Sequence, residues 1–124
     1  MEIIINNDIR ERCPKFTGAA VLASVRNTGT NEGLWAEITH FIEEYRLRYT
    51  TESIKQMPAI EATREAYKRC GKDPSRYRPS SEALVRRTLK GHDLYRVSTL
   101  VDLINLASIR YGYSIGGFAS DKIQ

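Results

Sequence analysis

"FTGAAVLASVR", residues 16–26, is a run of small and apolar residues closing on the β-branched Val25. Such a run fits a strand buried on both faces of a sheet. "EIII", residues 2–5, fits a second, shorter buried strand. Outward from these strands the pattern becomes helical. After a loop, "NTGTNEG" at 27–33, the residues Leu34, Trp35, Ile38, Phe41, Ile42, Tyr45 and Tyr49 recur at helical spacing. Pro58 suits the first turn of a second helix reaching about Cys70, with Ile60, Thr63, Tyr67 and Cys70 along one side and Gly71 as its stop. "GKDPSRYRPS" is a loop. Ser80 or Ser81 then caps a third helix running to about Lys90, facing inward through Leu84, Val85, Thr88 and Leu89.

The chain has 124 residues, enough for one domain, here taken as a single domain over 1–124. No run approaches the length a membrane span requires. "MEIIINND" lacks the basic start and cleavage site of a secretory signal, so a cytoplasmic protein is the simplest expectation. In that setting Cys13 and Cys70 read as buried or free thiols rather than as a disulfide. His40 sits beside the apolar stripe of its helix, where packing or capping is expected. His92 falls in a loop near Lys90 and Arg96. Two separated His and two separated Cys make no metal cluster, and no Ser/His/Asp or Cys/His spacing marks a nucleophile with its base.

The net charge of +4 is concentrated. Residues 1–63 are nearly balanced. From Arg64 to Arg96 the basic residues far outnumber Glu65, Asp73, Glu82 and Asp93, and Tyr67, Tyr77 and Tyr95 lie among them. A polyanion suits such a segment, because each Lys or Arg at a phosphate releases a condensed counterion. A solvated basic face with no partner is the plainer alternative. Arg86 and Lys90 are four apart, which points both outward beside Arg87.

"VDLINLASIRYGYSIGGFASDKI", residues 101–123, is a helix capped by Ser98 and apolar in nearly every direction. Yet Ser98, Asp102 and Asn105 share one narrow stripe of it. A buried carboxylate without partners would be expelled or protonated, and an unmet amide also costs free energy. Asp102 and Asn105 therefore either clasp a loop or neighbouring helix or contact a substrate directly. The helix runs into Gly112 and the pair Gly116-Gly117, a stop followed by a tight turn or by backbone that a ligand approaches closely.

"RRTLKGHDLYRVSTLVDLINLASIRYGYSIGGFASDKI" resembles the B3/B4 domain of the bacterial phenylalanyl-tRNA synthetase β subunit. There, Val101-Asp102, Asn105, Gly112, Phe118 and Asp121-Lys122-Ile123 fall in register. The upstream "GKDPSRYRPSSEALVRRTLKG" looks more like free-standing proteins made of a B3/B4 domain alone. The resemblance implies an α/β (α+β) fold, helices packed on a central mixed sheet, without metal or cofactor. It implies binding of tRNA or aminoacyl-tRNA, and the basic residues expected to meet it are Arg76, Arg78, Arg86, Arg87 and Lys90 of the positively charged segment. It also implies a substrate pocket at Ser114, Gly116, Gly117 and Phe118, where the family hydrolyses a mischarged ester. The family's pocket His aligns with Gly116 and its Asp with Ala119, so catalytic residues are left unassigned. The family domain continues beyond Asp-Lys-Ile into further strands, so the chain reads as the N-terminal part of the domain, its sheet incomplete or completed by a second chain. Three functions follow: a trans-acting aminoacyl-tRNA deacylase, a non-catalytic RNA-binding module, and a small-ligand protein using the old pocket for an amino acid.

Overall fold

The computed structural model describes residues 2–123; Met1 and Gln124, the ends of the expected domain, lie outside the described residues. Five α-helices follow in order: α1 (Asn7–Arg12), α2 (Glu32–Arg48), α3 (Pro58–Arg69), α4 (Ser80–Leu89) and α5 (Thr99–Tyr111). A 3-10 turn over Thr51–Gln56 joins α2 to α3, and another covers Ser120–Lys122. The helix boundaries have local causes. Asn31 caps α2 by accepting from the Leu34 amide, and Pro58 occupies the first turn of α3. Gly112 closes α5 in the left-handed conformation, φ 76°.

The core is a helix-on-helix core. Trp35, Ile38, Ile42 and Tyr45 of α2 meet Ile54 of the 3-10 turn, Ile60 of α3, Val85 of α4, and Leu106 and Ile109 of α5. α4 lies at its centre, touching α2, α5 and the 3-10 turn. Ile38, Ile54, Ile60 and Val85 have no solvent exposure at all. In this core the hydroxyl of Tyr45 is pushed up to about 12 by burial, with the neighbouring Tyr49 adding to the shift.

The expected mixed sheet is not there: no strand occurs among the described residues. Residues 2–5 and 16–26 are non-helical, but Ile3, Ile4, Phe16, Val21, Leu22 and Val25 are exposed, Val21 to 90%. Among the described residues, no backbone–backbone hydrogen bond involves residues 17–27. The reason is pairing. A helix satisfies its amides within itself, whereas a strand needs a neighbour to receive them. The buried residues of α2–α5 close on one another, and residues 2–5 and 16–26 meet no strand among the described residues. The apolar composition of 16–26 therefore signals β-propensity without the partner that turns propensity into a strand.

The loop read at 27–33 has a defined task. Asn27 Oδ1 accepts from the Leu100 amide at 3.0 Å, the Thr28 carbonyl accepts from the Thr99 amide, and the Gly29 carbonyl accepts from Thr99 Oγ1. Ser98 Oγ, the N-cap of α5, accepts from Asn27 Nδ2. The loop thus holds the start of α5 from outside, taking up amides that a helix N-terminus leaves unpaired.

Candidate nucleic-acid interface

The basic segment divides into two populations once its side chains are placed. Glu82, on α4, is fully buried. Arg64 of α3 reaches both of its carboxylate oxygens through Nη1, at 2.9 and 3.0 Å, and also donates to Ser75 Oγ through Nη2 at 3.1 Å. Arg86, one turn along α4, donates to Glu82 Oε1 through Nε and Nη2 at 3.0 and 2.9 Å. Arg78 stands 3.9 Å from the same oxygen. A buried carboxylate demands such partners, since stripping its water without replacement costs several kcal/mol. The outward orientation expected for Arg86 is therefore corrected: its side chain is 17% exposed and folds back onto Glu82.

Three guanidinium groups around one carboxylate leave an excess of positive charge. Glu82, Arg86 and the C-cap Lys90 are spaced by four along one side of α4, and Arg78 approaches Glu82 from the loop ahead of it. Arg78 and Lys90, at the two ends of this line, are exposed, as are Arg76 and Lys72 in the loop ahead of it. Two exposed tyrosines accompany these cations. Lys72 and Arg76 lie over the Tyr77 ring, at 5.1 and 5.3 Å from its centroid. Arg87 lies over Tyr95 at 4.2 Å and donates through Nε to the Asp93 carbonyl. The result is an edge of exposed cations and aromatic faces supported from beneath by a buried ion cluster.

Asp102 is 2% exposed. Trp35 Nε1 donates to its Oδ2 at 3.0 Å, and the Val97 amide donates to its Oδ1 at 3.1 Å. The carboxylate thus ties α5 to α2 and to the segment entering α5. Asn105 is half-buried and takes no part in these bonds. Arg96 lies over the Trp35 ring at 4.6 Å, so the indole that serves Asp102 also carries a cation on its face.

The residues expected to form a pocket are spread along an exposed stretch after α5. Gly116 and Gly117 have ordinary backbone angles, and a Cβ on Gly117 would meet only Ile104 Cδ1 at 3.7 Å. Phe118 is 82% exposed. Ser114 has a structural contact: its Oγ accepts from the Ser81 amide at 3.3 Å and donates to Ser81 Oγ at 3.2 Å. It thereby serves the N-terminus of α4, whose own N-cap, Pro79, offers no side-chain hydrogen bond. Capping by Ser80 or Ser81 is corrected accordingly. His40 is also corrected: it is exposed and 3.4 Å from Glu44 rather than packed. The demanding glycine is Gly112, where a Cβ would sit 3.1 Å from Ala59 Cβ as well as at positive φ.

Beside α1 and α3 runs an apolar groove of about 990 Å³, walled by residues that include Ile3, Ile5, Phe16, Ala62, Tyr67 and Tyr113. None of Ser114, Gly116, Gly117 and Phe118 lines it. No three His, Cys, Asp or Glu side chains converge among the described residues, and no described helix is long and apolar enough to cross a membrane.

Residues 62–124, just over half of the chain, match the profile of the B3/4 domain family. The chain belongs to the B3/4 domain family. The B3/4 match begins within α3, just ahead of Arg64, and takes in α4, α5 and the tail, so the Arg64–Glu82–Arg86 cluster lies wholly within it. No curated protein and no solved structure matches the chain.

In the sequence Glu82 is one of a few acids among many bases, and nothing there pairs it with Arg64. A usable signal was present. Glu82 is one turn ahead of Arg86, and it follows Ser81 and precedes Val85, both buried, on the inward side of α4.

Proposed function

We propose that the chain is a tRNA-binding module of the B3/4 type, working in the cytoplasm, that holds the RNA backbone along the α3–α4 edge. The observation that carries the reading is the division of the basic segment. Arg64 and Arg86 are consumed by Glu82, while Arg76, Arg78 and Lys90 are exposed near Tyr77, and Arg87 lies half-buried over Tyr95. Cations in line with exposed aromatic rings suit a phosphate backbone with unstacked bases. The family supports tRNA as the nucleic acid.

Hydrolysis of a mischarged aminoacyl ester is the second reading. It would need a water held and polarised by positioned groups. Ser114, in the expected pocket, is partnered with Ser81 and with no base. Binding without hydrolysis is therefore the reading we favour.

Filter binding with bulk tRNA at low salt tests both. We expect retention, with log K falling against log salt at a slope of about −3, as for three to four phosphate contacts. We expect no release of amino acid from a panel of charged tRNAs. Absence of retention at low salt would remove the nucleic-acid reading. Release of one amino acid from its tRNA would restore the deacylase.

A further inference from the structure

Cys13 and Cys70 are separated by 57 positions in sequence, yet their Sγ atoms are 4.0 Å apart. Each ends a helix: Cys13 follows α1 and Cys70 follows α3. Both are free thiols, and both line the apolar groove. The Cys13 thiol is also held by a 3.8 Å hydrogen bond to the Ala66 carbonyl.

A disulfide requires a sulfur–sulfur distance of about 2.05 Å, so closure calls for roughly 2 Å of approach. The two sides differ in their freedom to move. α3 is fixed by Ile60, which is fully buried in the core. α1 has six residues and buries none of them. Exposed chain flanks it on both sides, at residues 2–4 and 14–25. The short helix can therefore swing Cys13 toward Cys70 without disturbing the core.

We infer that Cys13 and Cys70 form an oxidisable dithiol site in the groove, taking a low-molecular-weight disulfide as its oxidant. Cys70 is the more accessible of the two and reacts first. Its thiolate attacks one sulfur of the small disulfide, whose S–S bond breaks. One small thiolate leaves and takes up the proton that Cys70 lost. Cys13 then attacks Cys70 Sγ in the mixed disulfide, expelling the second small thiolate, which takes up the proton of Cys13. Two protein thiols are oxidised, and one disulfide is reduced to two small thiols. The order agrees with the environment of Cys13, whose thiol is pushed up by lost hydration, then by its hydrogen bond to Cys70, against a smaller pull from Arg69 and Arg12. The product would staple α1 to the end of α3 and fix the wall of the groove.

The test is incubation of the folded, reduced chain with excess oxidised glutathione, followed by acid quench, intact mass and peptide mapping. We expect a monomer lighter by two hydrogens, with the Cys13 and Cys70 peptides joined. Its melting temperature should rise by about 5 °C or more, as closing a long loop implies. Cys13→Ser should stop at one glutathione on Cys70, and Cys70→Ser should leave Cys13 reduced. A lasting glutathione adduct on Cys70 of the parent, a disulfide between two chains, or no reaction would each overturn the inference.

Discussion

Arg64 and Arg86 on one side, and Arg76 and Lys90 on the other, come from the same basic stretch and have opposite fates. The first pair is nearly enclosed, 12% and 17% exposed, and directed at a fully buried Glu82. The second pair is exposed, and no ion pair engages it among the described residues. A run of positive charge in a sequence is therefore not one feature. Part of it neutralises a carboxylate and joins α3 to α4. What remains is exposed to solvent. The buried part makes the exposed part useful, because it fixes the helix and loop from which the free cations project.

The largest effect expected from this difference is on Arg86→Glu, which would set a second carboxylate against the buried Glu82. Folding should be lost or weakened by about 4 kcal/mol, measured by urea denaturation. Glu82→Ala should cost about 3 kcal/mol, since it leaves two poorly hydrated guanidinium groups without their acceptor. If either variant unfolds like the parent, the two classes of arginine are not distinct.

Asp102 sharpens the comparison because its partners are neutral. Asp102→Ala leaves the Trp35 indole and the Val97 amide without an acceptor. The expected cost is about 2–3 kcal/mol, accompanied by a shift in tryptophan fluorescence, since Trp35 is the sole tryptophan. A parent-like melting curve would show that solvent replaces the carboxylate. Gly112→Ala tests backbone rather than charge. Positive φ and the 3.1 Å approach to Ala59 should together cost about 1–2 kcal/mol. No change in thermal melting would mean that α5 ends without needing the left-handed residue.

The helices were legible because their signals are local. The stripe Trp35, Ile38, Ile42 and Tyr45, the Pro58 start, the Ser98 cap and the Gly112 stop each act within a turn or two of the chain. The sheet was misread because a strand is a relation between segments, and residues 16–26 carry the composition without the partner. The same limit applied to the site. Charge density marked the basic segment but did not separate its exposed members, Arg76 and Lys90, from Arg64 and Arg86, which fold onto Glu82. The Arg64–Glu82 bond spans 18 positions, the Asp102–Trp35 bond 67, and the Cys13–Cys70 approach 57. Only the packing of α3 and α4 on the shared 3-10 turn, of α5 on α2, and the placement of α1 beside α3 bring these groups together. Asp102 was nevertheless flagged from the sequence, since a carboxylate in an apolar helix demands partners even when they cannot be named.

The exposed cations, rather than those bound to Glu82, are the ones proposed to meet RNA. The direct measurement is tRNA affinity of the Arg76→Glu/Lys90→Glu double variant across a salt series, beside its urea denaturation curve. Both positions are exposed, so stability should stay within about 0.5 kcal/mol of the parent. Affinity at low salt should fall at least tenfold, and the salt slope should become shallower by about 2, one for each lost phosphate contact. Parent-like affinity and slope in a folded double variant would contradict the assignment of the α3–α4 edge as the RNA-binding face.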